Sequence, residues 1–284
     1  MTHSTSPIPA EAPSGKDADY ENFPVGSRLL PARLRPHIAV FYAFARAIDD
    51  IADSPVLAPE DKIARLEGFG AALDGRNTDP AFAKGHAMAA SPAKTDVTPR
   101  HGHDLIAAFK QDAVKGRYRD WDDLMAYCRL SAAPVGRYLL DLHGGSRDGY
   151  GPSDALCKAL QVINHLQDCQ DDYRTLGRVY LPGDWMAGEG AGAEDLDRER
   201  CTPGLRRVID KALDATESLM AEAKRLPKGL RSRRLAMESG VIVAIAIALI
   251  GKLRRRDPLA GRVALSKFEL AGCVLRGVIR SWMA

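Results

Sequence analysis

From about Leu34 to Ala52 the apolar residues Ile38, Phe41, Tyr42, Ala45, Ile48 and Ala52 recur every three or four positions, which marks one face of an α-helix. The same period returns over roughly 60–73, 100–115, 121–147, 153–175, 203–225, 228–255 and 261–282. Between these segments lie breaks such as Asp79-Pro80, Ser91-Pro92, Gly151-Pro152 and Asp257-Pro258. Strand alternation is convincing nowhere and no repeat is visible. The expected fold class is therefore all-α, a single-domain helical bundle over residues 20–284 packed around a central cavity. Residues 1–19, rich in Ser, Pro and Ala and without the apolar stretch of a signal peptide, read as a disordered leader. A Gly- and acid-rich stretch at about 183–200 reads as a mobile loop.

Composition narrows the partners. Hydrophobic residues make up 45% of the 284 and charged residues 27%, enough for a sizeable core. A net charge of +3, spread along the chain, gives no polyanion-binding stripe, so no nucleic acid is expected. Five cysteines without a Cys-x-x-Cys pair suggest neither a disulfide framework nor zinc, and fit a cytoplasmic setting. The longest apolar run, Val241 to Ile250, is too short to span a bilayer. Its helix, about Gly240 to Leu253, reads as a wall of the cavity with Ala244 and Ala248 facing inward. The basic cluster Lys252, Arg254, Arg255 and Arg256, followed by Arg276 and Arg280 with Leu275, Ile279 and Trp282, offers either peripheral contact with the inner face of an anionic membrane or an ordinary solvated helix end.

Chemistry enters with Arg46-x-x-Asp49-Asp50-x-x-Asp53. Asp49 and Asp53 share a helix face, with Cβ atoms about 5–6 Å apart. Like charges at that spacing, near a helix C-terminus, destabilise the helix unless something compensates. A hard divalent cation would do so, since magnesium takes one or two carboxylates and fills its octahedron with water and phosphate oxygens. A solvated acidic helix end is the alternative for one such cluster. A second follows: Asn164-x-x-x-Asp168-x-x-Asp171-Asp172, with Asp168 and Asp172 again four apart and Asn164 one turn earlier. Two acidic pairs facing each other across a bundle would hold two or three Mg2+ ions around a diphosphate. Arg46 would contact a phosphate or pair with Asp50.

Asp49-Asp50-Ile51-Ala52-Asp53, the later Asp-x-x-x-Asp and Arg178-Val179-Tyr180-Leu181-Pro182 resemble the squalene/phytoene synthase family over nearly the whole chain after residue 20. Glu21-Asn22-Phe23-Pro24-Val25 with Leu30-Pro31, Tyr127-Cys128-Arg129-Leu130-Ser131, and the run from Gln161 to Cys169 look like its hydroxysqualene synthase branch. The resemblance implies an isoprenoid synthase bundle around a hydrophobic channel, with metal on Asp49, Asp53, Asp168 and Asp172. It further implies magnesium-dependent conversion of presqualene diphosphate and water to hydroxysqualene, alongside other enzymes of the hopanoid pathway. No NADPH is expected, and Gly188-x-Gly190-x-Gly192 follows no strand pattern and is no dinucleotide fingerprint.

Substrate contacts implied in this way are Asn22, and Lys115, Arg117, Tyr118 and Arg178 near phosphate or lid, for each of which a surface charge is the alternative. The aromatic faces of Phe23, Phe41, Tyr42 and Tyr127 would stabilise a carbocation. Ser131, Asn164 and Gln167 are candidates to position the quenching water. Gln167 stands where relatives that seat two diphosphates usually carry arginine, Asp171 where they often carry glutamate, and Ala246 or a neighbour where a tyrosine is usual. Rival readings are condensation of two prenyl diphosphates and a non-catalytic assembly factor, against which the four carboxylates argue. His101-x-His103 reads as a solvated helix start sooner than a metal pair.

Overall fold

The computed structural model describes residues 10–12, 29–91 and 95–282. The described residues form thirteen α-helices: α1 Arg35–Asp53, α2 Pro59–Leu73, α3 Ala83–Ala90, α4 Arg100–Asp112, α5 Trp121–Ser131, α6 Ala133–Leu142, α7 Gly151–Gln167, α8 Cys169–Leu176, α9 Gly183–Gly188, α10 Pro203–Ala223, α11 Leu226–Gly229, α12 Arg233–Leu253 and α13 Lys267–Trp282. Local signals account for many of the starts. Pro36 sits in the first turn of α1, and Asp120, Thr202 and Ser232 accept from the backbone N–H three residues on to cap α5, α10 and α12. Phe44, Ile48 and Ile51 of α1 are fully buried, at about 1.5–3 kcal/mol each.

Several expectations are corrected. The segment 121–147 is two helices, since Ala132-Ala133-Pro134 restarts the chain as α6. The segment 153–175 breaks at Asp168, which ends α7 and opens α8. The described residues include two strands, β1 Arg117–Tyr118 and β2 Val179–Pro182, paired in parallel. The stretch 183–200 is not an open loop: it forms α9 and a 3-10 turn at Ala193–Asp197, tied down by Glu189 to Arg207 and Lys211 and by Asp197 to Arg174. The disordered leader expected over 1–19 lies outside the described residues except for 10–12, where Ala10 is buried and Glu11 pairs with Lys84 of α3.

The helices that position the site run side by side. Gly151 at the start of α7 lies against Glu222 near the end of α10, so these two are antiparallel. Arg206 at the start of α10 donates to the Leu253 carbonyl at the end of α12, so α12 runs parallel to α7. Arg234, opening α12, donates to the Leu29 carbonyl just ahead of α1. The N-terminal ends of α1, α7 and α12 therefore gather at one end of the molecule. Their C-terminal ends gather at the other. Helix α12 is long and apolar enough by composition to cross a bilayer, yet 61% of that window is buried within the protein. Its backbone meets α13 at Gly277, where a Cβ would fall 2.4 Å from Val241 Cα, a separation that glycine alone permits.

Candidate active site

Helices α1, α4, α5, α6, α7, α8 and α12, with Leu30, Arg178 and Tyr180, enclose a cavity of about 330 Å³, within the usual range for ligand pockets of about 300–1,000 Å³. Along α1 it is lined by Ile38, Phe41, Tyr42 and Ala45, then by Arg46, Asp49 and Asp53. Along α7 and α8 it is lined by Cys157, Leu160 and Gln161, then by Asn164, Asp168 and Asp172. Both walls change from apolar to acidic in the same direction. At 1.5 Å per residue the step from Ile38 to Asp53 spans about 22 Å, so the cavity is a channel, greasy at one end and charged at the other. Each member of the two acidic pairs opens into it.

Although the helix breaks at Asp168, the Asp172 N–H still donates to the Asp168 carbonyl at 2.8 Å, which keeps the i,i+4 spacing of the second pair. Helix α8 then stops at Gly177, in the left-handed region at φ 64°, with the Arg178 N–H returning to the Asp172 carbonyl. That turn sends the buried Arg178 back beneath the first pair. Its guanidinium donates to Asp53 at 2.5 Å and to the Ala52 carbonyl at 2.8 Å. Arg46 donates to Asp49 at 2.7 Å and lies 4.0 Å from Asp50, so its first partner is Asp49 and not Asp50. Burial, and next the charge of Asp53, raise the Asp49 carboxyl to about 7 despite Arg46. A divalent cation there would relieve both causes. Among the described residues no group of three or more His, Cys, Asp or Glu side chains is placed to hold a metal by itself. The acidic pairs instead suit an ion that takes few protein ligands and completes its shell from water and phosphate.

Beneath Arg178 lies a polar and aromatic cluster that the sequence did not announce. Asp112, the last residue of α4, accepts from Tyr127 Oη at 2.6 Å and Tyr180 Oη at 3.3 Å. His165 stacks on Tyr180 with ring centres 3.6 Å apart. Burial pushes the Asp112 carboxyl up to about 6 and the His165 imidazole down to about 3, the latter helped by Arg178.

Of the expected contacts, Tyr42, Arg46, Tyr127, Ser131, Asn164 and Arg178 line the cavity with the four aspartates. Asn22 and Phe23 lie outside the described residues. Four others face elsewhere. Lys115 pairs with Asp123 at 2.6 Å, Arg117 donates to the Gly116 and Gly177 carbonyls, and Tyr118 packs behind Tyr180. Gln167 is buried and donates to the Val263 carbonyl, outside the lining. The histidine pair is split: buried His101 bonds Asp141 and His103 bonds Asp74. Ala244 gives its carbonyl to Cys273 on α13, and α12 turns Ile242 and Leu249 inward instead. Asp112, His165, Gln161 and Glu238 are lining residues that no motif singled out as site residues.

A helical bundle whose channel carries two Asp-x-x-x-Asp pairs at one end and hydrocarbon-lined walls at the other defines an isoprenoid synthase fold. A model described as squalene/phytoene synthase matches residues 17–269, and the chain belongs to that family. Hydroxysqualene synthase of Zymomonas mobilis is 42% identical over 259 residues, 91% of this chain and 87% of its own length. The hydroxysqualene synthase of Rhodopseudomonas palustris is 42% identical over 92% of this chain and 88% of its own. Squalene synthase HpnC from Alicyclobacillus acidocaldarius superposes with a TM-score of 0.71 at 36% identity, covering 83% of this chain and 89% of that one.

Proposed function

We propose that the protein converts presqualene diphosphate and water to hydroxysqualene and diphosphate, with magnesium, in squalene and hopanoid biosynthesis. The observation that carries this reading is the channel itself, acidic where a diphosphate must be held and apolar where a hydrocarbon must be shielded. The names of relatives more than 40% identical over nine-tenths of the chain support this reaction among those of the family. Asp49, Asp53, Asp168 and Asp172 would hold the metal, which when bound neutralises charge on the departing diphosphate oxygens. Arg46 and Arg178 lie beside the first pair, where planar guanidinium groups match phosphate oxygens. The faces of Phe41, Tyr42 and Tyr127 stabilise a carbocation at about 0.5–2 kcal/mol each. The apolar lining keeps bulk water from it.

At the position of Gln167, where relatives that seat two diphosphates usually carry arginine, the side chain donates to the Val263 carbonyl and supplies no positive charge, in keeping with a single diphosphate. Peripheral membrane contact belongs to the same reading. Its support is the stripe Phe268, Leu275 and Ile279, exposed on α13, and not the full basic cluster. Lys252 is buried on Glu269, and Arg254 is engaged by Asp214 and Glu217.

The deciding experiment supplies magnesium with presqualene diphosphate or farnesyl diphosphate in separate reactions and analyses the lipid extract. Hydroxysqualene from the first substrate, and no product from the second, is the expected result. Presqualene diphosphate formed from farnesyl diphosphate would assign condensation instead. Asp49→Asn and Asp168→Asn should each abolish turnover while the helical circular dichroism signal persists, and near-normal activity in either would remove the metal-site assignment.

A further inference from the structure

A helical serine or threonine can satisfy its hydroxyl by donating to the carbonyl one turn back. Thr216 does so to Ala212 at 2.6 Å, Thr175 to Asp171 at 2.6 Å and Ser218 to Asp214 at 3.2 Å. Ser131, the last residue of α5, does not. It is 8% exposed, it lines the channel, and its Oγ has no hydrogen-bond partner among the described residues. A buried hydroxyl in that state is costly unless something within the channel completes it. Two contacts fix its level. One turn before it on α5, the Tyr127 ring centre lies 6.1 Å from that of His165 on α7. Beyond it, Gly136 on α6 lies against Ser153 and Cys157 near the start of α7. Ser131 therefore stands between these levels, beside Gln161, which also lines the channel and whose amide nitrogen is 3.3 Å from His165 Nε2. From Gln161 to Asp168 is about 10 Å along the helix axis. Diphosphate held at the aspartates takes up most of that length, so the carbon that loses it arrives at the level of Ser131, where acidic walls give way to apolar ones. Asn164 is only one turn from Asp168, level with the acidic pairs, and Gln167 is directed to Val263.

Resting on the function proposed above, we infer that Ser131 is the positioning residue for the water that quenches the carbocation. The water donates one hydrogen to Ser131 Oγ, with the Gln161 side chain beside it, and keeps an oxygen lone pair turned to the substrate. Diphosphate leaves with the electron pair of its C–O bond and stays at the aspartate end. The held water gives its lone pair to the cationic carbon and forms a new C–O bond. One of its O–H bonds then breaks, the proton passes to the departed diphosphate, and an alcohol remains. Where no water is held, the same diphosphate takes a proton from a carbon next to the cation, and the product is an elimination hydrocarbon. Ser131 thus sets the share of alcohol.

The test compares wild type with Ser131→Ala in the full chain, supplied with presqualene diphosphate and magnesium, and measures diphosphate release together with the alcohol-to-hydrocarbon ratio. In Ser131→Ala diphosphate release should stay within about twofold of wild type while the alcohol share falls at least about tenfold, because the water is no longer oriented. Ser131→Thr, which keeps the hydroxyl, should return most of the alcohol. The melting temperature of Ser131→Ala should equal or exceed that of wild type, since no bond within the protein is lost. A fall of several degrees would mean that the hydroxyl has a partner in the protein and would overturn the assignment. So would an unchanged alcohol share in Ser131→Ala, a loss of diphosphate release in step with the loss of alcohol, or a Ser131→Thr share no higher than that of Ser131→Ala. Failure of the underlying reading is distinguishable, because wild-type protein would then form no alcohol and release no diphosphate from this substrate.

Discussion

Asp112 and His165 are buried at the same place in opposite electrostatic senses, and their titrations oppose each other. The Asp112 carboxyl is raised from 3.8 to about 6, so between those values the folded state holds a proton that the unfolded state has lost. Its stabilising contribution is complete below pH 4 and lost as pH rises through 6. His165 is lowered from 6.5 to about 3, so its contribution is lost as pH falls through that window. Asp112→Asn removes the first dependence and keeps the second. The stability of the variant minus that of the wild type should therefore rise by about 3 kcal/mol from pH 4 to above pH 6, read by urea unfolding. Parallel curves would contradict the burial argument. Tyr127 and Tyr180 lie in motifs that the sequence shows, but their grouping with Asp112 and His165 is not legible there, since the four come from four separate elements and no spacing links them. The aspartate pairs were legible because each lies within one helical turn, where chain geometry alone fixes the neighbours.

At the scale of elements, the period of three and four located the long helices to within a few residues and missed what depends on single positions. A four-residue strand and a two-residue strand carry no alternation to read, and the break at Asp168 has neither proline nor glycine to announce it. Periodicity also fixed that α12 is apolar without fixing which face meets the channel. That face was misassigned to Ala244 and Ala248, because α13 covers one side of α12 and its docking point, Gly277, signals nothing until Val241 is seen against it. The two faces should respond differently. Ile242→Phe adds bulk to the channel and should lower turnover of a thirty-carbon substrate several-fold with a small change in melting temperature. Ala244→Phe loads the α12–α13 contact and should cost about 1–3 kcal/mol of stability through overpacking. Chain-length preference measured with both variants separates the faces, and the same loss in both would contradict the assignment.

For the molecule as a whole, the channel's polarity is set by helices that share a direction, so charge gathers at one end without any helix being charged throughout. Under the proposed function the substrate and product are oily molecules that must pass between this channel and a lipid phase. The described surface offers Phe268 at 92% exposed and Leu275 at 62%, in line with Ile279 on α13. Arg255, Arg256 and Arg276 remain to meet anionic headgroups, at about 1 kcal/mol each near such a surface. With Lys252 and Arg254 already held by acidic partners, charge alone should give a weaker attachment than the sequence cluster suggested. Vesicle sedimentation should therefore show weak binding to anionic vesicles that survives in part at high salt, because burial of apolar side chains is not screened. Replacing Phe268 and Leu275 together by serine should weaken binding more than replacing Arg255 and Arg256 by glutamine. Binding abolished by salt and indifferent to Phe268 and Leu275 would return the contact to electrostatics, and no binding at low salt would remove it.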